Sequence, residues 1–357
     1  MKSFTHLRAL AALALAASLA ACGGDDNNMA PVTTTTSIPP AVVTTFTLTS
    51  LVSDTASAAH TDKNLVNAWG VAFNPTGYVW VANNGTSTST LYDGNGVAQS
   101  LIVATPDSPT GIVFNASATD FHASPFIFST ESGFIAAWSP AVDRNNAVKV
   151  VDNSASGAVY KGIALASYNG ANYIYATDFH NKRIDVFTAS FAKAALPGSF
   201  SDPSLPANYA PFGIQAIGDR IYVTFAQREA TGDDEAHGAG LGVVDVFDTA
   251  GNLIKQLVMG GALNAPWGLA MAPSNFGTFS GMLLVANFGD GKINAYDPAS
   301  GTPAGALTKA DGSAIAIDGL WGIAFGNGVN SQPTNTLFFT AGPSDEAHGQ
   351  YGRLDMM

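Results

Sequence analysis

The 357-residue chain is 46% hydrophobic and only 12% charged, with a formal net charge of −12. It has no basic run able to neutralise phosphates, which argues against nucleic acid and anionic headgroups as partners. Its single cysteine leaves no internal disulfide, so stability must come from packing.

Lys2 and Arg8 precede an apolar run, Ala9 to Ala21. The run is too short to span a bilayer and reads as a secretory signal over residues 1–21. It ends in Leu19-Ala20-Ala21-Cys22, which resembles the lipobox of bacterial lipoproteins, in which the cysteine becomes the acylated N-terminus. Plain secretion with an incidental cysteine is the alternative. Residues 22–42 lack aromatics and are rich in Gly, Asp, Thr and Pro, the composition of a flexible tether. Gly23, where an aspartate would resemble an inner-membrane retention signal, points to the outer membrane of a cell envelope.

From residue 43 to 357 the sequence predicts one repeat domain. VTTFTLTSLV (43–52) alternates as a strand should, without a blade of its own. Six strings then follow in which a glycine opens an apolar strand: NAWGVAF, SPTGIVF, VYKGIAL, YAPFGIQ, NAPWGLA and GLWGIAF. The glycines Gly70, Gly111, Gly162, Gly213, Gly268 and Gly322 are spaced 41, 51, 51, 55 and 54 residues apart, the period of propeller blades. After each glycine come short strands rich in Val, Ile, Tyr and Phe, bounded by Gly, Asn and Asp. The expected fold is all-β, a six-bladed β-propeller with four-stranded antiparallel blades. The last blade lacks a fourth strand of its own, so residues 43–52 are expected to close the ring at its outer edge.

The residues just before the glycines are Trp69, Thr110, Lys161, Phe212, Trp267 and Trp321. Pointing inward, they form an apolar collar with one ammonium group at the top of the channel, suited to stacking on a flat or sugar-like ligand. Alternatively, each aromatic wedges between blades while the glycine lets inner strands approach closely.

The loops after the second strands share that face. They carry Asp178-Phe179-His180, then the string DEAHG twice, with Glu235 and His237 in blade four and Glu346 and His348 in blade six. Glu131 joins them from blade two, and Asn287 with Asp290 from blade five. Imidazoles and carboxylates from separate blades could hold a divalent metal or form an acid and base pair. The opposing reading is a polar rim whose acids cap turns, each histidine held by its own loop.

From NLVNAWGVAFNPTG to TLFFTAGPSDEAHG, roughly residues 60 to 352, the chain resembles a family of uncharacterised exported bacterial six-bladed propellers with NHL-like repeats. That resemblance implies a fold and no activity. A wider resemblance to calcium-dependent lactonases and arylesterases implies a hydrolase. Those enzymes, however, place Asn or Asp before the repeat glycine, where this chain has Trp, Thr, Lys, Phe, Trp and Trp, a poor set for a hard cation. The expectation is therefore a lipid-anchored extracytoplasmic propeller that binds a small-molecule, glycan or protein ligand at the channel mouth. It touches membrane only through its anchor and needs no cofactor. The alternative is a metal-dependent hydrolase using the histidine and carboxylate loops.

Overall fold

The computed structural model describes residues 43–230 and 232–357. The signal read at 1–21, the tether at 22–42 and Cys22 lie outside the described residues.

Six antiparallel sheets ring a central channel. Their innermost strands are Ala68–Phe73, Pro109–Phe114, Tyr160–Tyr168, Tyr209–Ile217, Pro266–Met271 and Leu320–Phe325, each containing one repeat glycine. Five blades are continuous four-stranded meanders. Blade six takes Leu320–Phe325, Leu337–Ala341 and Gln350–Met356 from the C-terminus and Phe46–Ser53 from the start of the described chain. The closing strand runs antiparallel to the last one, from Phe46 opposite Met356 to Ser53 opposite Gln350. Blade six also gains a fifth, two-residue strand: the chain doubles back through 54–59 and lays His60–Thr61 parallel to Val52–Ser53. This extra pairing covers backbone groups that an outermost strand would leave open.

The repeat glycines are explained by contact between blades. A Cβ on Gly322 would lie 2.6 Å from the Trp69 carbonyl oxygen, and one on Gly70 would lie 2.5 Å from that of Thr110. The inner strands therefore pack backbone to backbone at this level, and only glycine permits it. Side-chain hydroxyls pin the same level. Thr177 Oγ1 donates to the Phe212 carbonyl at 2.7 Å, Thr110 Oγ1 donates to that of Tyr160 at 2.7 Å, and Thr340 Oγ1 donates to that of Trp69. Between blades the cores are apolar. Where the ring closes, Phe46 packs on Phe276 with ring centroids 4.9 Å apart and is 1% exposed.

Candidate functional site

All five large collar residues point into the channel, and four of them are buried: Trp69, Lys161, Phe212 and Trp321. They close the channel. Trp69 and Trp321 stack at 3.8 Å, Trp267 meets Trp321 edge-on at 5.8 Å, and Phe212 does the same at 5.8 Å. Two further rings join them from the residues following second strands. Phe179 packs on Phe212 at 5.4 Å, and Phe288 stacks on Trp321 at 3.9 Å. The indole N–H groups are satisfied internally: Trp69 and Trp321 donate to Asn67 Oδ1 at 2.8 and 3.2 Å, and Trp267 donates to the Lys161 carbonyl at 2.9 Å. Ring faces occupied by other rings are unavailable to a ligand, so the collar is a plug and its partners are its own members.

Above the plug lies a pocket of about 240 Å³ lined by Lys161, Glu235, His237, Phe288 and Glu346, with Glu229, Asp234 and Asp345 at its more exposed edge. The Lys161 side chain is 2% exposed. Its Nζ lies 2.7 Å from Glu131 Oε1 and 3.3 Å from Asp234 Oδ1, and 5.1 Å from the Trp69 ring centroid. Burial pulls the lysine pKa down, but Glu131 and Glu235 outweigh it and hold the ammonium above its ordinary range. Glu131 is itself anchored by Asn84 Nδ2 at 2.9 Å, and Asn84 Oδ1 accepts from Asn67 Nδ2 at 3.3 Å. One polar chain thus links the pocket floor to the indoles of the plug.

The carboxylates differ in state. Burial, together with the charges of Glu235, Glu131 and Asp234, pushes Glu346 up to about 7, against the opposing pull of Lys161. Glu235 is 6% exposed and accepts no side-chain hydrogen bond among the described residues, with His237 Nε2 3.8 Å away. Its carboxylate raises the pKa of His237.

The histidines do not converge. His180 Nδ1 pairs with Asp233 at 2.8 Å and His348 Nδ1 with Asp54 at 2.8 Å, both acids from other loops, while His237 faces Glu235 of its own loop. Asp178 is fully buried and caps its turn, accepting from the Val159 and Asn181 amides at 3.2 Å each. Among the described residues no three His, Asp or Glu side chains come together with the spacing of a metal site. The pocket therefore unites Lys161, Glu235, His237 and Glu346, and leaves Asp178, His180 and His348 outside it.

Glu131 was visible in the sequence only as one more rim acid. Phe179 stands there only as the residue between Asp178 and His180, and nothing in the local chemistry singles out Asn67 or Phe288. The signal for the asparagine was the shared Asn-Ala pair of NAWG and NAPWG, and that for the rings was the Phe repeated in DFH and NFG.

At the opposite end the inner strands diverge into a funnel of about 400 Å³. Among the described residues lining it, Gln215 is the only polar side chain and none is titratable, whereas Lys161, Glu235, His237 and Glu346 lie at the top.

No protein-family model matches the chain. Uncharacterized protein R648 of Acanthamoeba polyphaga mimivirus is 33% identical over 333 residues, 87% of this chain and 80% of that protein. Uncharacterized protein L690 of the same virus is 29% identical over 336 residues, 87% and 86% of the two chains. These relatives are viral, whereas the repeat strings resembled exported bacterial proteins. Among solved structures, a streptogramin B lyase matches with a TM-score of 0.51 at 14% identity, covering 87% of this chain and 98% of the other. A gluconolactonase from Xanthomonas campestris matches at 0.52 and 12%, covering 82% and 87%. At such identities the likeness is one of fold, and these two propellers carry different activities. The chain is a six-bladed β-propeller belonging to the same family as uncharacterized protein R648 of Acanthamoeba polyphaga mimivirus.

Proposed function

We propose that this propeller is a ligand-binding module whose site is the acidic pocket above the plug. The observation that carries the reading is the burial of Lys161 among carboxylates from three blades, Glu131, Asp234, Glu235 and Glu346, over a floor of stacked rings. Buried charge is costly, and concentrating it at one channel mouth, with Glu235 accepting no hydrogen bond among the described residues, suits a group that arrives from outside. The collar residues serve this site as its floor. Lys161 lines it directly, Trp321 supports Phe288, and Trp69, Phe212 and Trp267 hold the plug rigid from below. Thermal melting of the full chain against a panel of cationic, neutral and anionic small molecules tests the reading. At least one class should raise the melting temperature of the wild type and not of Glu235→Gln; a panel without any such Glu235-dependent shift would contradict it.

One observation favours a second reading, a hydrolase. Glu346, raised to about 7 in the pocket that also holds Glu235, can carry a proton at neutral pH, as a general acid requires. Turnover of an ester or lactone that falls as pH rises through about 7 and is abolished by Glu346→Gln would support it over pure binding.

We further propose export and attachment to a cell envelope, the outer membrane in a host that has one, through acylated Cys22, on the strength of Leu19-Ala20-Ala21-Cys22 and the tether after it. Cys22→Ser should move the protein from the membrane fraction to the soluble one; retention of that variant on membranes would contradict the anchor.

A further inference from the structure

We propose that the top-face pocket takes a small linear organic polycation, a di- or triamine of the spermidine class. This rests on the ligand-binding reading and names its ligand.

The protein contains its own template for such a ligand. Lys161 is an alkylammonium seated between two carboxylates, 2.7 and 3.3 Å away, with an aromatic ring 5.1 Å from its nitrogen. The same elements recur beside it with no ammonium at hydrogen-bond distance among the described residues: Glu235, Glu346 and the ring of Phe288. Glu235, 6% exposed and accepting no hydrogen bond among the described residues, with His237 Nε2 3.8 Å away, is the partner such a cation would find, since a charge-assisted hydrogen bond is the strong kind. Glu229, Asp234 and Asp345 extend negative charge along the rim, and the cationic groups lining the pocket are Lys161 and His237. The acids lack the convergence a bare ion needs, so charges spaced along a chain fit them better. The volume of about 240 Å³ admits a short polyamine, whose methylenes would lie against Phe288.

Proton linkage gives a signature. Glu346 is faced by Glu229, Asp234, Glu235 and His237 of the blade-four loop, Glu131 of blade two, Lys161 of blade three and Asp345 of its own loop. A cation arriving there replaces the proton that burial and the neighbouring carboxylates hold on Glu346, so binding should release protons and tighten with pH.

Calorimetric titration of the full chain with spermidine, in roughly physiological salt at about pH 6 and pH 8, tests this. The expected result is saturable binding several-fold tighter at the higher pH, with proton release visible in buffers of different ionisation heat. Glu235→Gln and Glu346→Gln should each weaken it about tenfold, whereas Asp219→Asn, at an exposed acid away from the pocket, should leave it unchanged. Either pocket variant suffices if the other fails to fold. No saturable binding, equal loss in Asp219→Asn, or magnesium displacing spermidine at millimolar concentration would overturn the proposal. If spermidine fails while a neutral or anionic compound gives a Glu235-dependent melting shift, the polycation is wrong and the binding site stands; if no compound gives one, both fall.

Discussion

The ammonium of Lys161 lies 2.7 Å from Oε1 of Glu131, with the lysine side chain 2% exposed and the glutamate 29%. Removing the acid leaves a buried cation short of its closest partner. Glu131→Gln should therefore cost about 3 kcal/mol of stability, the low end for breaking a buried pair, because the glutamate is partly exposed. It should also free Asn84 and loosen the link to Asn67. Urea denaturation measures it; a change under about 0.5 kcal/mol would mean that Asp234 and Glu235 suffice to hold the lysine.

Gly322→Ala places a methyl 2.6 Å from the Trp69 carbonyl oxygen and 2.7 Å from Thr340 Oγ1. Blade six must then move from blade one, at a cost of about 3 kcal/mol or more. Gly170→Ala meets nothing within 4 Å and carries only the strain of a positive φ, about 1 kcal/mol. Equal losses for the two in denaturant melts would refute close blade contact as the reason for the repeat glycine.

Phe46→Ala should cost about 3 to 5 kcal/mol, because the ring is buried against Phe276 and Phe279 where the ring of blades closes. Trimming the chain up to residue 42 should leave the melting temperature nearly unchanged. If the trim destabilises as much as Phe46→Ala, closure by the strand is not what secures blade six.

How far these features were legible depends on their range. The glycine repeat could be read because backbone contact leaves one permitted residue at each of six positions. The closing strand could be read because the last blade visibly lacked one. That the residues before the glycines are mostly aromatic was legible as well. That Trp69 and Trp321 would meet each other before any ligand was not, since it depends on how narrow the ring is. The two DEAHG strings look equivalent, yet His348 bonds Asp54, which reaches blade six only through ring closure, while His237 stays beside Glu235 and Phe288. Local sequence is identical there, and distant chain decides the chemistry.

Asp245 gives a pH prediction. It is fully buried, both its carboxyl oxygens lack a hydrogen-bond partner among the described residues, and burial with the nearby charge of Asp202 raises it to about 8. The folded value exceeds the unfolded one, so the neutral form is favoured by folding. That contribution is complete below about pH 4 and is lost as pH rises to about 8, with a limiting slope of about 1.4 kcal/mol per pH unit. Asp245→Asn should flatten this decline in chemical denaturation between pH 5 and 8; an unchanged profile would place the titrating group elsewhere.

Carbon-detected NMR titration of the Glu346 carboxyl is the most direct measurement of whether the top-face pocket is a charged site awaiting a ligand. The expected midpoint is about 7 in the free protein, falling when a bound cation replaces the proton. A midpoint near the ordinary glutamate value of about 4.3, unmoved by any compound that binds the protein, would contradict it.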